Sequence, residues 1–469
     1  MDWKIESLDR LFNPDCIAVI GASERSEKLG AQTLLALHDY DARKYPVNPK
    51  HSEIGGVKCF PSVSDIDDQI DLAIIALGPQ QVLPALTDCA SAGVRGAIIF
   101  SAGFKELGPL GEKHQQAVKD IADEARIAVI GPNCLGAGNV NKYLNATFFP
   151  HPVPLKKGSV SFVSQSGGVA GIMIYSAFDA GVGVAKFASI GNRVNIDFDD
   201  MVQFLSQDDE TDVMCLFVEG TEKARQMYEE IGKSTLDKDV IVYKVGTTPA
   251  AQAAAQSHTG SFAGRHELYT AAVRQAGGIG VNTITEMIDT AKILTLSKER
   301  PKGRRVAIVT HTLGPALIAA QILETRGIQL PPPSRETASA IQDMLAMQVD
   351  IPITNPVDLL AQGWAMPEIF GGAFQLIMKE PHFDAVMIVF SPNYQKEIGE
   401  GMPIETIIET VSYSGKCVVG VLNAPECRPP GGREMLEANS IAVFSNPERA
   451  ASALANVLQR TSPGSSKGS

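Results

Sequence analysis

The chain has 469 residues, too many for one hydrophobic core, so we expect two to four domains. A net charge of −12 and the lack of a long basic run argue against nucleic acids and anionic membranes as partners. Seven scattered cysteines without a C-x-x-C pair, no signal peptide and no membrane-length apolar run indicate a soluble cytoplasmic protein without disulfides or a metal site.

Residues 1–148 alternate short β-branched runs with segments of helical length. This alternation predicts buried parallel strands in a doubly wound α/β sheet. The predicted strands are CIAVI (16–20), KYPV (44–47), DLAIIAL (71–77), GAIIF (96–100) and RIAVI (126–130). The Pro-rich stretch FFPHPVPLKKG (148–158) then indicates a linker.

Two further α/β series follow, which predict domains over residues 155–297 and 303–460. The first has the predicted strands VSFVS (160–164), VAKFAS (184–189), VMCLFVE (213–219) and VIVYKV (240–245). The second has RVAIVT (305–310), AVMIVF (385–390), CVVGVL (417–422) and IAVF (441–444). The last residues, 461–469, are small and polar and predict a disordered tail.

The loops at the carboxyl ends of the first five strands are candidates for a ligand crevice, because open α/β sheets bind ligands at that edge. The strand CIAVI runs into GASERSEKLG, in which Gly21 makes the turn, Ser23 is a candidate cap and Gly30 opens a helix. This is not the G-x-G-x-x-G pattern, so it favours a phosphate-bearing nucleotide ligand over NAD specifically; glycines that serve packing alone are the alternative. The other ends are VNPK (47–50), ALGP (76–79), SAGF (101–104) and GPNCLG (131–136).

The second series contains VSQSGGVA (163–170), where a strand is followed at once by Ser166, Gly167 and Gly168 and then a helix. Backbone N–H groups at such a helix start favour an anion, although an ordinary strand–helix turn has the same spacing. No G-x-x-x-x-G-K-[ST] segment is present in the sequence. The chain therefore shows no self-sufficient ATP site.

His258 lies among small residues in AAAQSHTGSFAG (253–264), an unusual setting for a core or a surface histidine. Hydroxyl neighbours suit a phosphate, and Glu219 at a strand end in the same domain is placed to bond one ring nitrogen. The other nitrogen, Nε2, would then be a free nucleophile. The alternatives are a structural histidine and a Glu219 that pairs with a nearby Lys or Arg.

These segments together resemble the NDP-forming acyl-CoA synthetases, relatives of the succinyl-CoA synthetase α subunit and of ADP-forming acetyl-CoA synthetase. The motifs that carry the resemblance are GAS…G, VNP, SAGF, GPNCLG, SQSGG, VEG and above all SHTGSFAG, spanning residues 7 to 458. The resemblance implies a Rossmann-like CoA-binding domain followed by two flavodoxin-like domains. It also implies that acid, CoA and ATP interconvert with acyl-CoA, ADP and phosphate through an acyl phosphate and a phosphohistidine.

The resemblance assigns roles to particular residues. His258 is the phosphorylated histidine, Glu219 orients it, and Ser166, Gly167 and Gly168 bind its phosphoryl group. Asn355 and Asp358 of NPVDL shape the acyl site, with an Asx-capped turn as the alternative. The residues implied to bind CoA are Gly21, Ala22, Ser23, Gly30, Asn48, Pro49, Lys50, Ser101, Ala102, Gly103 and Asn133.

The chain departs from the family pattern in two ways. The family also uses an ATP-grasp module for the nucleotide and Mg²⁺. The three predicted domains leave no further segment large enough for such a module. We therefore expect a separate β subunit in an α2β2-type hetero-oligomer. The third series begins THTLGPAL (310–317), where relatives have a glycine-richer turn. One interpretation is that His311 and Leu313 reshape the acyl pocket. The alternative is that His311 caps the helix that follows. A non-enzymatic CoA or acyl-CoA sensor remains the alternative function. A nicotinamide dehydrogenase is rejected because Asn48-Pro49-Lys50 replaces the acidic residue expected after the second strand.

Overall fold

The computed structural model describes residues 2–149, 153–248, 250–251, 266–298, 300–345, 351–391, 402–422 and 431–460. It divides into two compact units, the first ending at Ile284 and the second running from Thr285 to Arg460. None of the described helices combines the length and apolar character needed to cross a bilayer. The α/β class expected from the sequence is confirmed in both units.

The first sheet of unit 1 is parallel, with the strand order β2-β1-β5-β6-β7. Its core strands are buried, as expected for a parallel sheet covered by helices on both faces. The strands are β1 (Cys16–Ile20), β2 (Arg43–Val47), β5 (Leu72–Ile75), β6 (Gly96–Ile99) and β7 (Ala128–Ile130), with a separate hairpin of β3 (Glu53–Ile54) and β4 (Val57–Lys58). The helices are α1 (Trp3–Phe12), α2 (Leu29–Ala36), α3 (Pro79–Ser91) and α4 (Pro109–Glu124). All five predicted strands are present, and the chain switches direction across the sheet between β1 and β5, where a ligand crevice is expected.

The second sheet of unit 1 has seven strands in the order β14-β13-β12-β10-β11-β8-β9. Strands β10 to β14 are parallel, whereas β8 and β9 form an antiparallel hairpin at the edge beside β11. The strands are β8 (Gly136–Asn139), β9 (Leu144–Thr147), β10 (Lys157–Ser164), β11 (Val184–Ser189), β12 (Val213–Val218), β13 (Asp239–Lys244) and β14 (Ile279–Val281). The helices are α5 (Gly167–Ala180), α6 (Phe198–Ser206), α7 (Ala224–Ser234) and α8 (His266–Gln275).

The hairpin of β8 and β9 lies before residue 148, where the first domain was expected to end. Its residues, 136–147, add to the second sheet rather than to the first. Glycines permit this close pairing: a Cβ at Gly136 would overlap the Ala146 carbonyl oxygen, and one at Gly138 would overlap the Phe187 ring. The first two sheets are therefore joined before the predicted linker begins.

Unit 2 contains one parallel sheet in the order β16-β15-β17-β18-β19. Its strands are β15 (Val306–Thr310), β16 (Val357–Asp358), β17 (Ala385–Phe390), β18 (Cys417–Leu422) and β19 (Ala442–Phe444). The described helices of this unit are α9 (Ile284–Leu296), α10 (Leu313–Thr325), α11 (Arg335–Leu345), α12 (Leu360–Ala365), α13 (Pro367–Lys379), α14 (Ile404–Ser414), α15 (Gly431–Ala438) and α16 (Pro447–Leu458).

Helix α9 lies in unit 2, and the domain boundary expected at residue 297 stays a prediction. The buried Lys292 ammonium donates to the Val443 carbonyl at 2.9 Å and pairs with Glu437 at 2.5 Å. The buried Asp289 carboxylate pairs with Arg449 at 2.7 Å. Because buried charges need their partners, these contacts fix α9 on the final sheet.

Candidate functional site

The carboxyl end of β1 has a backbone path that requires glycine at two positions. Gly21 adopts φ +86°, and its N–H donates to the Val47 carbonyl at the end of β2, at 2.9 Å. A Cβ at Gly30 in α2 would overlap the Gly21 carbonyl oxygen, so the start of α2 packs directly on this turn. The glycines predicted to bind a phosphate-bearing ligand thus bring the N-terminus of a helix against a strand end, a geometry suited to anions.

Asn48 connects the loops that follow β1 and β2. Its Nδ2 donates to the Ala22 carbonyl at 2.8 Å, and its Oδ1 accepts from the Lys50 N–H at 3.0 Å. Ala22 is fully buried, whereas Pro49 and Lys50 are exposed. Ser23 Oγ accepts from the Arg25 N–H at 3.1 Å. The structure therefore brings together the predicted residues 21–23 and 48–50.

The loops after β6 and β7 form the next part of the same sheet edge. Asn133, at φ +58°, donates its N–H to the Ser101 carbonyl at 2.9 Å. Gly103 adopts φ +111°, and Ala102, which lies between Ser101 and Gly103 in the sequence, is exposed. The Ser101 hydroxyl is buried and has no hydrogen-bond partner among the described residues. This unpaired buried hydroxyl lies at a strand end of the same sheet edge as Gly21 and Gly30, where a Cβ would overlap backbone atoms. The combination fits a binding site for CoA.

The N-terminus of α5 begins one residue after Ser166, as the SQSGG motif predicts. The Ser166 side chain caps the helix by accepting from the Val169 N–H at 3.4 Å, and the Ser164 hydroxyl donates to the Ser166 carbonyl at 2.7 Å. A Cβ at Gly167 would lie 3.3 Å from the Leu135 nitrogen. Small residues therefore leave the backbone N–H groups and the positive end of the helix dipole accessible.

Glu219 follows β12, which lies beside β10, so it reaches the same edge as α5. Gln165 fixes this loop because its Oε1 accepts from the N–H groups of Glu219, at 3.0 Å, and Gly220, at 3.1 Å. The ammonium of Lys244 donates to the Glu219 carbonyl at 2.7 Å, and burial lowers the pKa of this lysine although the Glu219 charge opposes the effect. Sequence reasoning missed Gln165, since its partners lie 54 and 55 residues away.

One cleft of about 490 Å³, which we name the α5 cleft, contains the predicted phosphate-binding residues and Glu219. Its polar lining consists of Lys105, Asn133, Gln165, Ser166, Gly167, Gly168, Asn192 and Glu219. Asn133, one of the residues implied to bind CoA, thus shares a cavity with the helix terminus. Lys105 and Asn192 were not predicted, because neither lies in a motif that points to anion chemistry.

The predicted catalytic His258 lies outside the described residues, in the segment 252–265. The chain leaves β13 at the edge of the sheet that carries Glu219, because β12 and β13 are parallel neighbours. It is described again from His266, at the start of α8. The proximity of His258 to Glu219 therefore stays a prediction.

In unit 2, both the oxygen and the nitrogen of the Asn355 side-chain amide form hydrogen bonds with backbone groups. Its Oδ1 accepts from the Ile308 N–H at 3.0 Å, while its Nδ2 donates to the carbonyls of Val306, at 2.8 Å, and Pro331, at 2.9 Å. Asp358 accepts from the Leu360 N–H at 3.0 Å in an Asx turn. Both contacts correspond to the structural alternative, and the predicted acyl-site role of these two residues stays a prediction.

His311 packs between aromatic rings at the end of β15. Its Nε2 accepts from the Ser391 N–H at 3.0 Å, and its ring contacts Phe390 edge-on, with centroids 4.6 Å apart. Burial lowers the pKa of His311, and the Asp358 charge partly opposes the shift. The capping alternative is not what the described contacts show, because His311 precedes the N-cap residue Thr312 and accepts from a neighbouring strand end instead.

Comparisons with known proteins agree with this architecture. Residues 15–139 match the CoA binding domain, and residues 157–294 match the succinyl-CoA ligase-like flavodoxin domain. The chain is 35% identical to the Pyrococcus furiosus "Acetate--CoA ligase [ADP-forming] II subunit alpha", over 97% of this chain and 98% of that one. It is 34% identical to the Archaeoglobus fulgidus "Acetate--CoA ligase [ADP-forming] I", over 98% of this chain but 64% of that protein.

A solved structure of a "dinucleotide forming Acetyl-coenzyme A synthetase 1" from Ca. Korarchaeum cryptofilum, in complex with phosphate and ADP, superposes with a TM-score of 0.86. It is 30% identical and covers 97% of this chain and 96% of that chain. These matches extend over both units and include the two domain types that the sequence predicted. The chain belongs to the NDP-forming acyl-CoA synthetases, a family of ligases, as an α-type chain similar to the α subunits of ADP-forming acetate–CoA ligases.

Proposed function

We propose that the chain catalyses the acyl and phosphoryl transfers that connect acyl-CoA and phosphate to acid, CoA and a phosphohistidine at His258. The single observation that supports this most is the α5 cleft. It combines a capped helix terminus at Ser166–Gly168, the Glu219 carboxylate and the CoA-loop residue Asn133 in one cavity. The helix terminus suits a phosphoryl group, and Glu219 suits an imidazole N–H.

The chemistry divides into two balanced transfers. A phosphate oxygen attacks the thioester carbonyl, the C–S bond breaks, and the CoA sulfur leaves as a thiolate that takes up a proton. Nε2 of His258 then attacks the phosphorus of the acyl phosphate, and the P–O bond breaks to release the carboxylate. Glu219 would accept a hydrogen bond from the Nδ1–H of His258 and stabilise the positive charge on the ring.

CoA would lie along the carboxyl edge of the first sheet, held at residues 21–23, 30, 48–50, 101–103 and 133. Backbone N–H groups at the turn after β1 and the start of α2 suit its pyrophosphate, and the exposed Lys50 suits a phosphate of the adenosine moiety. Asn355 and Asp358 are proposed to shape the acyl site through the backbone that they hold.

The last transfer, from phosphohistidine to ADP, is proposed to need a separate ATP-grasp β subunit that also binds Mg²⁺. Support comes from the Archaeoglobus fulgidus relative, of which this chain matches only 64% although 98% of this chain is matched. The name "subunit alpha" of the Pyrococcus furiosus relative points the same way. We propose an α2β2-type assembly in the cytoplasm. The matched curated proteins quoted above are named as ligases, so the alternative of a non-enzymatic acyl-CoA sensor has no support.

The test is phosphopeptide mapping of the purified full chain after incubation with phosphate and a panel of acyl-CoAs, under conditions that preserve acid-labile phosphate. We expect phosphate on the peptide that carries His258, and the most efficient acyl-CoA identifies the substrate. His258→Ala should remove the label while CoA affinity is unchanged, and Glu219→Gln should slow labelling by about 10- to 100-fold without removing it.

If no acyl-CoA labels the chain alone, the same mapping is repeated with the candidate β subunit and ATP. Substantial acid-dependent ATP turnover by the His258→Ala complex would exclude the phosphohistidine route. A wild-type rate for Glu219→Gln would leave that carboxylate a structural role only.

A further inference from the structure

A short turn after β6, Lys105–Leu107, connects the CoA loops to the α5 cleft. Glu106 fixes the turn from within: its Oε1 accepts from the N–H groups of Gly103, at 2.6 Å, and Phe104, at 3.2 Å. Its Oε2 accepts from Asn192 Nδ2 at 2.6 Å. Burial opposes ionisation, yet these hydrogen bonds lower the pKa of Glu106, so the carboxylate is the form that the site stabilises.

Asn192 ties this turn to the second sheet. It lies in the loop after β11, and its Oδ1 accepts from Asn133 Nδ2 at 3.4 Å while its N–H donates to the Pro132 carbonyl at 2.9 Å. The preceding Gly191, at φ +53°, has no space for a Cβ because the Pro132 and Asn133 carbonyl oxygens occupy it. Loops from both sheets are therefore held in one fixed arrangement around Glu106.

Lys105 extends from this fixed turn and lines two cavities. One is the α5 cleft, which also contains Ser166 and Gly167. The other, which we name the polar cleft, is lined by four more cations: Lys4, Lys119, Arg193 and Lys223.

The four other cations of the polar cleft all have carboxylate partners. Lys4 pairs with Asp200 at 2.9 Å, Lys119 with Asp123, Arg193 with Asp197 at 2.9 Å, and Lys223 with Asp199 at 3.2 Å. For the Lys105 ammonium, by contrast, no hydrogen bond or ion pair occurs within the part of the chain that the structure describes. Because this ammonium lies at the wall of both clefts, it is a candidate to bind an anion there.

The environment of Lys105 strengthens this reading. Burial lowers its pKa, and the neighbouring Arg193 charge lowers it further, while Glu222, Asp197 and Glu112 act in the opposite direction. A partly desolvated ammonium gains more from an oxyanion than an ammonium in bulk water does. The α5 helix terminus supplies neutral N–H donors only, so a cation beside it would complete the charge balance of a phosphoryl group.

We propose that Lys105 binds the phosphoryl oxyanion, as inorganic phosphate or acyl phosphate, at the N-terminus of α5, and that Glu106 is the positioning residue that holds Lys105 there. The proposal deepens the proposed function and rests on it. It names a cationic phosphate ligand from the CoA-binding domain for a site whose other ligands come from the flavodoxin-like domain.

The experiment measures binding of inorganic phosphate to the full chain by calorimetry at low salt, with CoA saturating, and binding of CoA separately. Lys105→Met should weaken phosphate binding by about tenfold or more, as expected for loss of a hydrogen bond to a charged group, with CoA affinity unchanged. Lys105→Arg should stay within about threefold of the wild type. The matched control is Lys119→Met, which removes a cation from the polar cleft and should leave both affinities unchanged.

Glu106 is tested by rescue. Glu106→Gln places an amide N–H₂ against Asn192 Nδ2 and should weaken phosphate binding by about threefold or more. Adding Asn192→Asp restores a donor–acceptor pair across the same contact and should recover most of the affinity. A merely structural Glu106 would change the melting temperature of the single variant but not produce this reversal in phosphate affinity.

Each remaining outcome has a distinct meaning. Wild-type phosphate affinity in Lys105→Met overturns the proposal, and so does a loss of CoA affinity alone, which would assign Lys105 to the CoA phosphates. If the wild-type chain does not bind phosphate and His258 is not labelled either by acyl-CoA and phosphate or by the β subunit with ATP, the proposed function itself fails, and the assignment of Lys105 fails with it.

Discussion

Two strand–helix turns, one in each unit, share a hydrogen bond from a strand-end hydroxyl to the N-cap carbonyl but carry different side chains. In unit 1 the Ser164 hydroxyl at the end of β10 donates to the Ser166 carbonyl at 2.7 Å; in unit 2 the Thr310 hydroxyl at the end of β15 donates to the Thr312 carbonyl at 2.9 Å. Each of these carbonyls belongs to the N-cap residue of the helix that follows. The shared hydroxyl bridge shows that the turn geometry alone does not decide function.

The difference lies in the side chains placed on that geometry. The first helical residue is Gly167 in α5 and Leu313 in α10, and the position before the N-cap is Gln165 in one and His311 in the other. Gln165 directs its acceptor to the Glu219 loop, whereas His311 is packed against Phe390. The start of α5 therefore opens onto the α5 cleft, whereas the start of α10 carries the exposed side chain of Leu313 and follows a histidine that is packed against an aromatic ring.

The largest effect is expected from making the first turn resemble the second. Gly167→Leu introduces at the start of α5 the residue that begins α10, and its side chain would project from a Cβ 3.3 Å from the Leu135 nitrogen into the α5 cleft. We expect phosphorylation of His258 from acyl-CoA and phosphate to fall by about 100-fold, the effect of removing preorganised donors from an oxyanion. Quench-flow labelling with radioactive phosphate measures the rate.

The matched control is Leu313→Gly in unit 2, where the adjacent Gly314 has open space around it. It should cost about 1 kcal/mol of helix stability and leave labelling nearly unchanged. A normal labelling rate in Gly167→Leu would show that the helix terminus of α5 is not where the phosphoryl group binds.

The parallel strands and the open turn of unit 1 were predictable because their signals are local. Strands buried on both faces appear as continuous β-branched runs, and Ser-Gly-Gly directly after such a run indicates a capped helix terminus. The hairpin of β8 and β9 was missed because the strands GAGN and LNAT lack this composition. They pair only because neighbouring glycines admit the Ala146 carbonyl and the Phe187 ring, contacts that no single segment encodes.

The network around the candidate site was not predictable for a related reason. Glu106 meets Asn192 across 86 residues, and Gln165 meets Glu219 across 54. Amide and carboxylate side chains of this kind occur in every loop, so only the fold identifies which ones meet. The packing of α9 was not predictable either, since it depends on Lys292 and Asp289, whose partners follow more than 140 residues later.

A smaller effect should distinguish the two N-caps. Ser166→Ala removes the bond to the Val169 N–H and should reduce the free energy of unfolding by about 1 kcal/mol. It should also slow labelling of His258 by about tenfold, because the cap orients the terminal N–H groups. The matched variant is Thr312→Ala, whose side chain makes no cap hydrogen bond, so it should change stability by less than about 0.5 kcal/mol. Equal losses of stability in urea titrations would contradict the assignment of Ser166 as the working cap.

The smallest effect is a pH dependence confined to the turn of unit 2. Ser391 N–H donates to Nε2 of His311, so the neutral ring is the native form, and burial holds the pKa of His311 below its ordinary value of 6.5. A histidine whose folded pKa is depressed contributes stability that is complete above pH 6.5 and is lost as the pH falls below that value towards the folded pKa. The slope for one proton reaches at most about 1.4 kcal/mol per pH unit. His311→Gln keeps an acceptor for Ser391 but does not titrate, so the difference between wild type and variant in unfolding free energy between pH 5 and 7.5 isolates the ring. A difference that stays constant over this range would mean that His311 is equally protonated in the folded and unfolded chains, and that packing against Phe390 does not exclude the charged ring.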